Sequence, residues 1–549
     1  MPSVRGRAVS TLIVIGLLTA LAAIPVAQLA RTALSSGWGG LGTALGSGAA
    51  VLALEHTVLV SAAVTVLAVL GGAACALAVE RRPPRARAVL RLAAISPLLI
   101  PEFVLGFSWS QAYGPSGTLD HAAGITIPGL IGPSGVVLVL AVHAVPLAYL
   151  VIAAGLGARA EPELELAARA SGADGRTVLR TVTLPLLRPA LTAAAALVFI
   201  TATNSFAVPQ VLGTPAGFAT MSTLIYNDLN LSAAPDVFDQ MAAVALEQTA
   251  LVLAAILVFG LALRTGPTAV VRGPLPSGVH GGTVPHRTGR AAGRITGPLI
   301  GLYMLIAVVF PLLALTGVAL TRGPGLAPTP GNWTAANFAT AFTGPTWTGL
   351  WHSLILAAVA ATAVTLMSLP TVLGVGRRAR AALGTGVILA YAVPGSALAV
   401  GILIAYGRPL ENSALIILIA YLAKLWAVGQ RPLSGAVDRL VPEHAMAARA
   451  SGAGALTALR SVVLPPLRAA LLTGAGLVFI LAVQEVTMSG ILYGPGTETF
   501  AAVILNQQDL GADGATAALA LVMTVPLLLI GALLAAGRGR HPGSPGTAA

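Results

Sequence analysis

The chain has 549 residues, of which 56% are hydrophobic and only 9% charged, and its mean hydropathy is +0.87. These values lie far outside those of soluble globular domains and place the chain in a lipid bilayer. A formal charge of +12 would suggest nucleic acid for a soluble protein, but here the basic residues alternate by loop and report topology, which excludes a nucleic-acid partner.

Twelve apolar runs are long enough to cross roughly 30 Å of hydrocarbon as helices. Six fall in the first half, near 9–30, 50–79, 89–112, 131–158, 190–213 and 241–263. Six follow in the second, near 296–320, 350–376, 382–406, 412–430, 470–493 and 516–537. They are too long and too uniformly apolar for the alternating strands of a membrane barrel, so the fold class is an all-α membrane protein. Arg5 and Arg7 before the first run, and the small residues of VAQLA after it, also fit a signal peptide. A retained first helix is the expectation, because its apolar run is long for a signal core and 296–320 corresponds to it in the second half.

Arginines fill the N-terminus, the segment 81–91, the connections near 160–190, 264–294, 377–380 and 439–468, and the C-terminal tail. Only Arg31, Arg322 and Arg408 fall in the intervening loops, and Lys424 sits in or near the end of a span. The positive-inside rule then puts both termini in the cytoplasm of a multi-pass membrane protein. Cys75 lies in an apolar run and reads as a packed thiol. The eight histidines show no paired ligand spacing, and His56 and His352, which open corresponding runs, read as structural; no metal site is expected.

A Gly-, Pro- and Arg-rich linker at 265–293 divides the chain into halves, 1–264 (core about 50–264) and 294–549 (core about 350–537). The halves repeat each other. Residues 161–200 and 441–480 share 24 identities in 40 positions without a gap. HTVLVSAAVTVLAVL from His56 parallels HSLILAAVAATAVTL from His352, and YNDL at 226–229 resembles QQDL at 507–510. Six spans per half give the copies one orientation, a parallel repeat.

The most similar segments, 159–188 and 439–468, are too polar to be spans and too regular to be linkers. In each, Pro162 or Pro442 opens a helix rich in alanine, Gly172 or Gly452 turns it, and a second short segment is expected to stop at Leu184-Pro185 or Leu464-Pro465. Such a pair of protruding levers suits docking of a protein better than an interfacial helix, which needs amphipathicity without fixed Gly and Leu-Pro positions.

These segments resemble the EAA loop of binding-protein-dependent ABC importer permeases. Ala167, Ala168, Gly172, Leu184 and Pro185 hold its spacing, as do Ala447, Ala448, Gly452, Leu464 and Pro465. Leu166 and Met446 stand where the family has glutamate, with Glu163, Glu165 and Glu443 close by as substitutes. The resemblance implies two fused permease domains whose loops are the ATPase-coupling elements, seated on separate ABC ATPase subunits, two copies in all. It further implies an extracytoplasmic solute-binding protein on the arginine-poor face. The chain has no G-x-x-x-x-G-K-[ST] phosphate loop, so it is expected to be a transport subunit without enzymatic activity or cofactor of its own.

Polar groups interrupt the spans after each loop: Asn204 and Ser205 align with Gln484 and Glu485, and Glu102 follows Pro101 where Gly395 follows Pro394. Buried polar groups in a membrane are costly and face a partner or a cavity, so these five side chains are candidates for the substrate path. S-F-x-V-P-x-x-L-G at 205–213 and L-Y-G-P-G-T-E-T at 492–499 resemble fused ferric-iron importer permeases, with parts shared by thiamine and phosphonate permeases. Ferric iron is therefore the expected substrate, with thiamine, phosphonate or another small solute as the alternative within the same importer class. A secondary transporter driven by an ion gradient through Glu102 and Glu485 is the alternative class.

Overall fold

In hydrocarbon every backbone amide and carbonyl must find a partner within the protein, and uninterrupted apolar runs meet that demand as helices. The computed structural model describes residues 4–538 except 36, 160–161, 233–235, 266–289, 324–325, 327–328, 340–341, 411, 439–447, 449 and 453. Among the described residues the regular structure is helical, apart from one isolated bridge between Thr321 and Trp333.

In chain order the principal helices of the first half are α1 (Gly6–Ala33), α2 (Gly48–Val79), α3 (Ala86–Leu99), α4 (Glu102–Tyr113), α5 (Pro133–Arg159), α6 (Pro162–Ala170), α7 (Gly175–Thr203), α8 (Met221–Leu231) and α9 (Val237–Thr265). Those of the second are α10 (Gly297–Ala319), α11 (Gly344–Leu369), α12 (Arg377–Ala392), α13 (Gly395–Tyr406), α14 (Ala414–Val437), α15 (Leu459–Val483), α16 (Thr487–Leu492), α17 (Phe500–Asp509) and α18 (Asp513–Arg538).

Ten helices are long and apolar enough to span, and twelve spans result if α3 with the helix after it and α12 with α13 each count as one. Those two pairs are sharply bent, by 93° and 98°, at Ile100-Pro101 and Val393-Pro394. Two expected spans also shift. The runs expected at 190–213 and 470–493 begin earlier, at Gly175 and Leu459, and end earlier, at Thr203 and Val483.

The expected proline stop at Leu184-Pro185 and Leu464-Pro465 is not there. Helix continues through both, because a five-residue π-turn precedes each: Leu179–Thr183 and Leu459–Val463. The amide of Leu184 reaches back to the carbonyl of Leu179, and that of Leu464 to Leu459, so the register has shifted before the residue that lacks an amide. The same device precedes Pro25, with a π-turn at Thr19–Ala23, and Pro311, with one at Leu305–Val309.

The helices group into two compact units, one of residues 1–53, 221–252 and 339–512, the other of 54–220, 253–338 and 513–549. Each unit thus combines the central part of one sequence half, 339–512 or 54–220, with the first span of the other half and with a later segment, 221–252 or 513–549. In the first unit α1 lies along α13, where Gly401 leaves no room for a side chain against the Pro25 carbonyl, and the Tyr406 hydroxyl donates to the Ala20 carbonyl at 2.5 Å. In the second unit α10 lies along α4, and Tyr113 and Trp109 donate to the carbonyls of Ile306 and Ala307 at 2.8 and 3.2 Å. In both units a tyrosine at the end of the bent span closes onto a π-turn, whose loosened carbonyl ladder needs outside donors in hydrocarbon.

His56 and His352 also act in parallel. The Nδ1 of each bonds a carbonyl of its own unit, Ala219 at 2.8 Å and Glu498 at 3.1 Å, and no metal-holding cluster is found among the described residues.

Candidate functional site

The first loop is built from α6, a tight turn and the start of α7. Its turn is a complete Schellman motif: the Gly172 amide bonds the Arg169 carbonyl and the Ala173 amide the Ala168 carbonyl, both at 3.0 Å, with Gly172 left-handed at φ +88°. Asp174 then caps the next turn by accepting from the Thr177 amide at 2.9 Å. Hydrogen bonds from Thr177 hold its carboxyl below the ordinary aspartate range. In the second loop Gly452 is left-handed at φ +87°, and Ala448 is helical before it. Pro442, Glu443, Met446 and Ala447 lie outside the described residues.

The three acidic substitutes separate into different roles as far as they are described. Glu163 is exposed. Glu165 is buried, 8% accessible, and its Oε1 accepts from Arg81 at 3.0 Å and from the Thr183 hydroxyl at 2.6 Å. It ties α6 to the segment after α2 and to the π-turn of α7. A helix advances about 100° per residue, so turning Glu165 inward turns its neighbours outward. Leu164 and Leu166 are 44% and 47% exposed, and Ala167 is exposed beside them. The outward face of α6 is therefore apolar at the position where the family carries glutamate.

Glu165→Ala is expected to loosen α6 without unfolding the bundle. Losing a partly screened charge-assisted bond costs about 1 kcal/mol. Proteolysis within 159–175 should accelerate while the melting temperature of the whole protein stays close to that of the parent; equal proteolysis of the two would contradict the tie.

Beyond the loops, α7 and α15 break at the residues singled out by sequence. Glu102, the first residue of α4, receives the hydroxyl of Ser205 and, at 3.5 Å, the amide of Val208. The Oδ1 of Asn204 is buried without a hydrogen-bond partner among the described residues. In the other unit Glu485 accepts from the amides of Met488 and Ser489 at 2.8 and 2.9 Å, and Gln484, half-buried, ends α15. Thus Glu102 and Ser205 meet in one unit, and Gln484 and Glu485 adjoin in the other.

Two basic side chains complete these clusters and carried no spacing signal. Lys424 on α14 donates to the carbonyls of Tyr391 and Val393 at 2.7 and 2.5 Å and lies in the field of Glu485. His143 is on α5, which packs against the Ser96–Leu99 end of α3; it lies in the field of Glu102, and its Nδ1 is buried without a hydrogen-bond partner among the described residues.

Comparison with known proteins agrees with this duplicated arrangement. The chain is 26% identical over 514 residues, 88% of each chain, to the probable ABC transporter permease protein y4fN of Sinorhizobium fredii. It is 36% identical over 219 residues to the molybdenum transport system permease protein ModB of Mycobacterium bovis and of Mycobacterium tuberculosis, covering 39% of this chain and 79% of theirs. It is 28% identical over 187 residues to the ferric transport system permease protein FbpB of Actinobacillus pleuropneumoniae, covering 33% of this chain and 27% of the relative. The family described as binding-protein-dependent transport system inner membrane component matches twice, at 68–265 and 367–537, each match containing one loop and the spans around it. With both halves matched, the chain belongs to that family and is a multi-pass ABC importer permease, a transport subunit rather than an enzyme.

Proposed function

We propose that the two loops are the seats of separate ATP-hydrolysing subunits, one per loop, and that both loops and both termini are cytoplasmic. A solute-binding protein delivers its cargo to the opposite face, and closure of the ATPases on ATP draws the loops together and reorients the helices. The observation that carries this reading is the matched pair of left-handed glycines, Gly172 and Gly452, the first of which turns the short helix α6 back into the long apolar α7. Ala167, Ala168, Leu184 and Pro185, with Glu163 at the rim, form the first seat, and Glu443, Ala447, Ala448, Leu464 and Pro465 are their counterparts. To the substrate path we assign Asn204, Ser205, Gln484, Glu102 and Glu485, the polar groups that interrupt the spans.

For the cargo we propose ferric iron, supported by the motifs at 205–213 and 492–499 and by the likeness to a ferric permease. Molybdate is the second reading, favoured by the higher identity to the molybdenum permeases. The complete complex in proteoliposomes distinguishes them: binding protein loaded with radioactive iron is expected to drive ATP-dependent uptake and to stimulate hydrolysis. Uptake of radioactive molybdate with no response to iron would replace the first reading by the second. ATP-independent uptake driven by an imposed ion gradient would overturn the ATPase coupling itself.

A further inference from the structure

Each unit holds one carboxylate and one basic side chain, all half-buried, at corresponding places but draws the acid from a different element. In the first unit Glu485 stands at the break after α15 and accepts from the Met488 amide; in the second, the equivalent of Glu485 is Ser205, and the acid comes from Glu102 at the start of α4. Glu102 nevertheless reaches the Val208 amide, the counterpart of Met488 at the repeat offset. Gly395, which takes the place of Glu102 in the first unit, lies against Thr487 and Met488, so its position faces the same junction. A carboxylate thus sits on one spot in both units, although its sequence position has moved.

The basic partner corresponds as well. Aligning α5 with α14 from their first residues, Pro133 and Ala414, superimposes their buried positions, among them Val136 with Ile417, Val139 with Ala420 and Ile152 with Leu433. That register puts His143 on Lys424. Both stand on helices packed against the end of the first arm of a bent span: Lys424 donates to Tyr391 and Val393 beside Pro394, and the helix of His143 packs on Ser96–Leu99, just before Pro101. Carbonyls there have lost the amides that a straight helix would offer, because proline has none and the chain turns through more than 90°.

Connectivity gives the pairs a mechanical meaning. Helix α14 runs into the second loop and α15 runs out of it, so the loop is the tip of a two-armed hairpin. Lys424 lies on one arm, about 20 Å from its loop end at 1.5 Å per residue, and Glu485 closes the far end of the other. The first unit's bent span packs along α14 and against α16, the helix that follows Glu485; in the second unit His143 is on α5, and Ser205 beyond α7 bonds Glu102 of the bent span itself. A well-packed apolar pair would stabilise such a junction as well as ions do, and charges within spans are costly, so their presence argues for a specific geometry rather than for stability.

We propose that Lys424 with Glu485, and His143 with Glu102, are positioning residues that transmit displacement of the loop-bearing hairpins to the bent spans. This rests on the ATPase coupling proposed above. The test is uptake per ATP hydrolysed by the complete complex in proteoliposomes, for the parent and for Lys424→Met, Lys424→Arg and the double variant Lys424→Met/Glu485→Leu. Lys424→Met is expected to keep hydrolysis and ATPase association while uptake per ATP falls about ten-fold, and Lys424→Arg, which retains the donors, to restore most of it. Where Lys424→Met fails to assemble, the double variant decides, since it leaves no lone buried charge. Unchanged uptake per ATP in an assembled variant overturns the proposal, as does proportional loss of hydrolysis and uptake, or failure of the double variant to assemble, each of which marks the pair as purely structural. Absence of ATP-driven uptake in the parent complex refutes the coupling reading instead.

Discussion

Replacing Gly172 or Gly452 by valine is expected to abolish most transport while leaving the protein inserted in the membrane. Both glycines are left-handed, at φ +88° and +87°, and nothing lies within 4 Å of where a Cβ would be added. The penalty is therefore conformational and not steric crowding, roughly 1–2 kcal/mol for an ordinary L-residue and more for a β-branched one. In the first loop the chain can relieve it only by giving up the bonds from Gly172 and Ala173 to the end of α6, which changes the angle between α6 and α7. The long helices are untouched, so expression and insertion should match the parent. Uptake in proteoliposomes should fall by roughly ten-fold or more, the scale of about 1.4 kcal/mol misplaced at a coupling contact. Asparagine, which tolerates the left-handed region, should retain far more activity at the same positions. Parent-like uptake by the valine variants would remove the loops from the coupling route.

A second large effect is expected at the crossing of α14 and α15. A Cβ on Gly474 would stand 2.7 Å from the carbonyl oxygen of Gly429, too close for any side chain, and the obstacle is backbone. Gly474→Leu must push the two arms of the hairpin apart, at a cost of about 3 kcal/mol or more because the strain falls on two packed helices at once. Leu433 on α14 and Leu467 on α15, which form a buried cluster with Val372 after α11, would lose packing with them. Gly476 is two residues away on α15 with nothing within 4 Å, so Gly476→Leu controls for hydrophobicity and helix propensity. Thermal aggregation in detergent should show a marked loss of stability for Gly474→Leu and almost none for Gly476→Leu. Equal melting of the two would mean that the arms cross elsewhere.

The repeat and the spans were legible because both depend on local chemistry: apolar length in one case, and Gly172, Gly452, Pro185 and Pro465 at fixed spacing in the other. The bends were not. Pro146, Pro189, Pro432 and Pro526 lie inside long helices, whereas Pro101 and Pro394 mark turns of more than 90°. Nothing in the sequence around a proline distinguishes the cases, since what sustains a bend is the distant donor that serves the freed carbonyls. Lys424 is such a donor, 31 residues from Val393. The reading of Leu184-Pro185 as a stop failed for a related reason: a π-turn ahead of a proline has no residue signature and appears only in the hydrogen bonds. Glu165 was readable as an acid near the family's glutamate position, but its inward direction depends on Arg81, 84 residues earlier. The polar points at Glu102, Ser205 and Glu485 were visible as costly exceptions to apolar runs. Their equivalence was hidden, because the carboxylate changes elements between the halves and the helices bearing His143 and Lys424 align one residue away from the loop offset.

The exchange of first spans between the two units has a consequence for synthesis. The chain emerges from the ribosome in order, yet α1 belongs with residues 339–512 and its nearest packing partner, α13, begins only at Gly395. For most of translation the first helix therefore waits in the lipid without its native neighbour, while the unit built on 54–220 is complete only when α10 and then α18 have arrived. Vectorial folding is thus denied to either half alone, and closing so long a loop places these contacts late in folding. A stalled or truncated chain would leave the π-turn carbonyl of Ala20 in the membrane without the Tyr406 hydroxyl that serves it, an unsatisfied polar group in hydrocarbon.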